Sequence, residues 1–315
     1  MTFLSENTAL SLSQQQALGK VSTLYQTPEI RSPSPHRTTL RFGLIADPQY
    51  ADAPPDLEHN RYYRHSLRKL SAAITELNAL PLDFVVTLGD LVDRDWSSYE
   101  QLLPLYDGLH HPHAALIGNH DAQVISDHLG AQSPALGLPK SYYQFTQPGY
   151  RFMVLDGNDV SLYCNHANGD DRQLAEFMLE DLIECQQSQA QPWNGAVGAR
   201  QLQWIEQNLQ QAKRLGEIVI VFGHYPLTPI NSHNLWNCET LLELLCEYQV
   251  RAYFAGHDHR GGYARIGNTD FITLKGMLDG ADSLPFATVE LQNGEITIHG
   301  YGTEVSRVLP AMTTD

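Results

Sequence analysis

Five apolar runs in this sequence stop on side chains of the kind that hold metal ions, and that repeated punctuation limits what the chain can fold into. Leu40-Arg41-Phe42-Gly43-Leu44-Ile45-Ala46 ends at Asp47-Pro48-Gln49. Asp83–Leu88 runs into Gly89-Asp90, and Ala114–Ile117 into Gly118-Asn119-His120-Asp121. Glu217–Phe222 leads to Gly223-His224, and Val250–Phe254 to Ala255-Gly256-His257-Asp258-His259. Singly, each ending has an ordinary explanation: a turn aspartate, a glycine turn, a structural histidine. Jointly they put donors at the same end of successive strands, where open α/β sheets build their sites. Gly256 is expected to let the chain turn sharply out of its strand.

The segments between these runs alternate in type. Leu67, Leu70, Ile74 and Leu77 form an apolar stripe at helical spacing within a helix predicted over Arg61–Leu80, with Pro81 just beyond it. Further helices are predicted over Asp171–Gln187, Ala199–Leu215 and Glu239–Tyr248. Arg151–Leu155 reads as another strand, and Phe271–Leu274, Phe286–Leu291 and Glu295–His299 follow as a closing run, the last two joined by an Asn293-Gly294 turn. Strands alternating with helices, then strands alone, suggest a sheet sandwich flanked by helices, with parallel and antiparallel parts. The insertion between Asp156 and Ala199 has the length of a lid or wall over a site.

The expected organisation is a flexible tail over residues 1–38 with one weak helix near Leu10–Leu24, a single catalytic domain over 39–303, and a C-terminal tail over 304–315. With 315 residues, 42% of them apolar, the chain has ample material for a large core. Its net charge of −16 argues against nucleic acid or an anionic membrane as partner. A phosphate substrate stays open, because bound divalent ions reverse the local field. The four cysteines (Cys164, Cys185, Cys238, Cys246) show no paired spacing and read as buried thiols. With no transmembrane run and no secretory leader pattern, the expected location is the cytoplasm. The oligomeric state is left open.

Asp47, Gln49, Asp90, Asn119, His224, His257 and His259 together supply carboxylate, amide oxygen and imidazole, with no thiolate. This mixture suits Mn, Fe, Co or Zn, with Mg also admissible, and does not suit a structural zinc cage. Seven donors exceed one tetrahedral shell. Two divalent ions sharing Asp90 account for the number.

These blocks resemble the calcineurin-like metallophosphoesterases, whose pattern is D-x-H, G-D-x-x-D, G-N-H-D/E, G-H and G-H-x-H. They stand here as Asp47-Pro48-Gln49, Gly89-Asp90-Leu91-Val92-Asp93, Gly118-Asn119-His120-Asp121, Gly223-His224 and Gly256-His257-Asp258-His259. Gln49 replaces the usual histidine. Glutamine there is typical of one branch, the manganese-dependent ADP-ribose/CDP-alcohol diphosphatases. Ile45–Asp52, Arg61–Leu67, Asn194–Gly198 with Gln201–Trp204, and Ala255–His259 with Gly261–Tyr263 are similar to that branch too, so that the resemblance covers about Thr39–Thr303. The loop between His224 and Trp236 looks shorter than in the animal members, which bears on substrate preference.

The resemblance implies an α/β fold, a four-layer α-β-β-α sandwich of two mixed sheets flanked by helices. It implies one ion held by Asp47, Gln49, Asp90 and His259, and another by Asp90, Asn119, His224 and His257, with manganese favoured by the harder amide oxygen of Gln49. It also implies hydrolysis of a phosphoanhydride in a small nucleotide, ADP-ribose or a CDP-alcohol, to a nucleoside monophosphate and a phosphorylated partner. His120 is assigned to the leaving oxygen, with Asp121 orienting its ring. Arg61 and Arg64 are candidates for the second phosphate. Tyr50, Tyr163, Trp193 and Tyr225 are candidates for stacking on a base, and the stretch from Asn194 to Gly198 for shaping the nucleoside pocket. The alternatives are a cyclic-nucleotide phosphodiesterase or another phosphatase of the same superfamily, and, remotely, a non-catalytic scaffold.

Overall fold

The structure is a computed structural model that describes residues 39–129, 141–163, 170–292 and 294–310, together with Gly19, Val21, Ser22, Tyr25, Pro28 and Met312. Most of the weak helix expected near Leu10–Leu24 lies outside the described residues, as do Cys164 and Asn293 of the hairpin turn.

Two six-stranded sheets carry the architecture. In the first, β1 (Thr39–Ile45), β2 (Phe84–Thr87) and β3 (His113–Ala115) run parallel, and β12 (Phe286–Gln292), β13 (Glu295–Tyr301) and β14 (Arg307–Leu309) extend the other edge antiparallel, in the order β14-β13-β12-β1-β2-β3. The second has β5 (Tyr150–Val154), β8 (Ile218–Phe222), β9 (Ala252–Ala255) and β11 (Thr269–Lys275) parallel to one another. Antiparallel β4 (Tyr143–Gln147) and β10 (Arg260–Ile266) close its two edges. A short ribbon of β6 (Val160–Ser161) and β7 (Gly195–Ala196) stands apart.

Phenylalanines dominate the space between the sheets. Phe42 stacks on Phe84 at 5.0 Å and meets Phe152, Phe222 and Phe254 of the facing sheet edge-on at 5.7–6.0 Å. Truncating one such ring to alanine costs about 3–5 kcal/mol. The central strands β2, β8 and β9 are covered on both faces, which is why they lack polar alternation, with Thr87 at the end of β2 the one polar residue. Helices α1 (His65–Asn78) and α2 (Ser97–Tyr106) cover the outside of the first sheet, and α5 (Ala199–Leu215) and α6 (Cys238–Glu247) the outside of the second. The result is the four-layer α-β-β-α sandwich. Gly43 permits the close seating of α1, since a Cβ there would lie 2.9 Å from Leu77 Cδ2.

Three expectations need correction. The helix predicted from Arg61 starts only at His65, because Asp56 and Arg61 exchange both backbone hydrogen bonds and the Asp56 carboxylate accepts the Glu58 and His59 amides, forming a closed turn. Residues expected as a C-terminal tail contribute β14, whose backbone pairs with β13. Within the expected N-terminal tail, Val21 and Tyr25 are buried against the α1–α2 layer, and the Tyr25 hydroxyl lies 3.1 Å from that of Tyr99. The insertion between β5 and α5 forms a wall: α4 (Asp170–Glu184) packs Ala175, with Met178, Leu179 and Leu182, against Val160, Ala196 and Trp236.

Candidate metal centre

Parallel register makes the donors converge. Ile45 pairs with Thr87, so Asp47 and Asp90 leave β1 and β2 side by side, and the Gln49 amide donates to the Asp90 carbonyl at 2.7 Å. Phe222 pairs with Phe254, so His224 and His257 leave β8 and β9 together, and the Gly256 amide donates to the His224 carbonyl at 3.0 Å. The sandwich then brings the sheets together at this end, where the His257 amide donates to Oδ1 of Asp47 at 3.0 Å. Asn119 and His120 open helix α3 (Asn119–Leu129).

The backbone here is strained. Asp47, Gln49, Asp90 and His257 all hold positive φ angles, between 45° and 64°. Such conformations disfavour side chains other than glycine and concentrate at functional sites. Gly256 is not among the positive-φ residues; its neighbour His257 makes the left-handed turn. Gly256 instead allows a close approach, because a Cβ there would lie 2.6 Å from Oδ2 of Asp47.

One group of donors gathers Asp90, His224 and His257, whose ligand atoms all lie within 4.8 Å of one another, together with Asn119. His224 Nδ1 lies 2.8 Å from the Leu88 carbonyl, which only accepts, so Nδ1 carries the proton. His224 Nε2 then faces Asn119 Oδ1 at 3.1 Å and Asp90 Oδ2 at 3.3 Å. In the neutral ring three electron-pair donors then face one point, which a proton on Nε2 or a bound metal ion satisfies. Asp47 and His259 make a second pairing, and Gln49 lies on the same loop as Asp47. His259 Nδ1 bonds Asp279 Oδ1 at 2.9 Å, leaving Nε2 turned inward, 3.8 Å from Asp47 Oδ1. Gln49 Nε2 donates to Asp93 Oδ2 at 3.2 Å, while its Oε1 is buried with no hydrogen-bond partner. A buried orphan oxygen is costly unless a ligand occupies it. Both groups fit divalent ions.

The electrostatics agree. Burial raises the Asp47 carboxyl to about 6 despite the nearby His259 and His224. Burial also works against a charged His224, yet Asp90 and then Asp47 outweigh it and hold the ring at about 9. Asp90 faces the same burial, but His224 and His120 hold it below the usual carboxylate range. Burial and the neighbouring His224 push His257 well down. The pocket is thus rich in carboxylates that draw positive charge onto whatever can carry it.

His120 lies at the rim, with its amide on Asp90 Oδ1 at 2.9 Å. Its ring is oriented by Asp93, through Nδ1 to Oδ1 at 3.0 Å, and not by Asp121 as expected from sequence. Asp121 is fully buried and accepts the amides of Leu91, Val92 and Gly118 and the Tyr99 hydroxyl. It braces the two ligand loops from beneath. Burial, with Asp90 nearby, raises its carboxyl to about 7. Burial opposes the His120 cation, but Asp90 and Asp93 raise the ring overall.

The expected substrate contacts divide. Arg61 bears on the charges of His120, His233 and His259, and its guanidinium has no partner among the described residues. Arg64 instead pairs with Asp52 in solvent. Tyr163 is half-buried near Asp90, and Trp193 is partly exposed. Tyr50 is almost wholly buried, and Tyr225 is fully buried under His224 and His257 with its hydroxyl on Asn158, so neither presents a face to a base. Asn194 is also fully buried and bonds His257, which removes it from any substrate surface.

Sequence reasoning gave no role to Asp93, although it closes the G-D-x-x-D block. It missed Asp279 and Lys69 entirely. Lys69 is buried and donates to the Met277 and Asp279 carbonyls at 2.6 and 3.1 Å, securing the loop that orients His259. No local pattern marks these two.

A family model described as Calcineurin-like phosphoesterase matches residues 40–261. A protein of Arabidopsis thaliana called manganese-dependent ADP-ribose/CDP-alcohol diphosphatase is 32% identical over 256 residues, 70% of this chain and 80% of that protein. The human protein of the same name is 27% identical over 329 residues, 90% of this chain and 95% of that one. A crystal structure of a dimetal phosphatase from Danio rerio superposes with a TM-score of 0.76 at 25% identity, over 85% of this chain and 98% of that one. These matches extend well beyond the short metal-binding blocks, and the chain belongs to the calcineurin-like phosphoesterase family, within the group of the manganese-dependent ADP-ribose/CDP-alcohol diphosphatases.

Proposed function

We propose that the protein is a manganese-dependent hydrolase that cleaves the phosphoanhydride of nucleoside diphosphate-linked compounds such as ADP-ribose or CDP-alcohols, releasing a nucleoside monophosphate and a phosphorylated partner. The observation that carries this reading is the buried Gln49 Oε1 without a hydrogen-bond partner, two residues along the loop from Asp47, whose carboxylate lies 3.8 Å from His259 Nε2. It marks a hard oxygen donor where the wider family carries imidazole. Asp47, Gln49, Asp90 and His259 would hold one divalent ion, and Asp90, Asn119, His224 and His257 the other. When bound, such ions supply Lewis acidity at the phosphoryl oxygens and a water acidic enough to attack phosphorus at neutral pH.

The chain's own residues do the rest. His120, oriented by Asp93, presents Nε2 to the leaving oxygen and stabilises or protonates it. Arg61, unpaired among the described residues, supplies a cation for the second phosphate. Tyr163 and Trp193, each partly exposed, are the remaining candidates for stacking on the base. Among the described residues no helix is long and apolar enough to cross a membrane.

The test is a panel of ADP-ribose, CDP-choline, ADP-glucose and cAMP with manganese, products separated by chromatography. Nucleoside monophosphate from the diphosphate-linked compounds is the expected result. Hydrolysis of cAMP with ADP-ribose untouched favours the cyclic-nucleotide alternative and overturns this reading.

A further inference from the structure

The geometry points to Asn194 as a positioning residue that selects the protonated nitrogen of His257 and so presents Nδ1 to a metal ion. The inference rests on the assignment of His257 as a metal ligand. Asn194 is fully buried, and all three of its side-chain contacts are defined. Its Nδ2 donates to the Gln189 carbonyl at 3.0 Å and to the Ser232 carbonyl at 2.8 Å. Carbonyls only accept, so both amide protons are committed and the orientation of the amide is settled. Oδ1 therefore points at His257 Nε2, 2.9 Å away, and that nitrogen must donate. A neutral imidazole that donates from Nε2 keeps its lone pair on Nδ1. The Tyr225 ring, packed edge-on against His257 at 4.7 Å, leaves little room for a different ring orientation.

The arrangement has a second consequence. Asn194 ties the turn after α4 and the loop carrying Ser232 and His233 to one ligand. The His233 ring lies 5.4 Å from that of His257. The loop bordering the site mouth is thereby fastened to the metal centre by one side chain.

The test uses the full chain and Mn(II) alone, with affinity and stoichiometry read by calorimetry. Asn194→Leu, which removes the acceptor, is expected to weaken one of two bound ions by about 10–100-fold, as loss of an outer partner of a ligand does. Asn194→Asp keeps an acceptor for Nε2–H but loses both bonds to the Gln189 and Ser232 carbonyls, and is expected to weaken that ion less than Asn194→Leu does. In a His257→Ala background, Asn194→Leu is expected to add nothing. In the metal-free wild-type chain, ¹⁵N NMR of the His257 ring is expected to report a protonated Nε2, a measurement that does not depend on any variant folding. A protonated Nδ1 overturns the proposal. So does Asn194→Leu binding both ions as the wild type does while His257→Ala loses one. If His257→Ala itself binds both ions normally, the ligand assignment beneath the proposal falls first.

Discussion

The His120 ring donates from Nδ1 to Oδ1 of Asp93 at 3.0 Å. The other oxygen of that carboxylate accepts from the Gln49 side-chain amide at 3.2 Å, so one side chain holds both the proposed acid and a proposed ligand. His120→Ala is expected to lower kcat by about 100-fold or more with manganese content nearly unchanged. Asp93→Ala is expected to lower kcat similarly and to weaken manganese binding as well, because it also frees Gln49. Steady-state kinetics with elemental analysis of each purified variant checks both. Full activity in His120→Ala sinks the assigned role.

Gln49 is expected to set metal preference through its orphan oxygen. Gln49→Leu should weaken one bound manganese by at least about tenfold. Gln49→His should move the preference toward zinc, a softer ion that favours imidazole. Competition titrations of Mn(II) against Zn(II) measure the shift, and an unchanged ratio in the histidine variant removes Gln49 from metal selection.

The two arginines should separate cleanly. Arg61→Ala is expected to raise KM for ADP-ribose by roughly 10–100-fold, the worth of a charge-assisted hydrogen bond, and to leave a simple phosphodiester probe almost untouched. Arg64→Ala should change KM little, because its guanidinium is spent on Asp52 at the surface. Equal losses in the two variants, or equal losses on both substrates, contradict this division.

His113 is expected to make the fold acid-sensitive. Its ring stacks on Tyr106 at 4.4 Å, its Nε2 meets Thr87 Oγ1 at 2.8 Å, and its Nδ1 is buried without a partner. Burial holds it down at about 3, against an ordinary 6.5. Below 6.5 the unfolded chain takes a proton that the folded chain refuses. Stability therefore falls as pH drops from 6.5 toward 3, by up to about 1.4 kcal/mol per unit, and this contribution is flat above 6.5. Urea denaturation should show the wild type losing about 2 kcal/mol more than His113→Gln between pH 6.5 and 4.5. Parallel curves refute it.

Strand after strand was legible because a buried parallel strand is an apolar run, and its end is marked by glycine and a polar donor. The stripe of Leu70, Ile74 and Leu77 placed α1 on the first sheet for the same local reason. Helix α2 left no clear trace, since Ser97-Ser98-Tyr99 and an internal Pro104 obscure its period. Helix α3 was hidden because its first turn is itself part of the site. Strand β10 was missed because its residues are only partly covered, and Gly261 and Gly262 break its alternation.

The sequence by itself determined which side chains end the strands, and therefore the donor types and the family. Those are properties of short local patterns. Only the tertiary structure decided that Asp93 and not Asp121 orients His120, that Asp279 turns His259, and that Asn194 turns His257. It also buried Tyr225 and Asn194 beneath the site and left Arg61 beside it. These pairings join residues 20 to 63 positions apart, and folding brings them together across separate loops. A hydrogen bond is short and directional, so its partners are settled by where the sheets and loops place each atom, and no spacing along the chain records that.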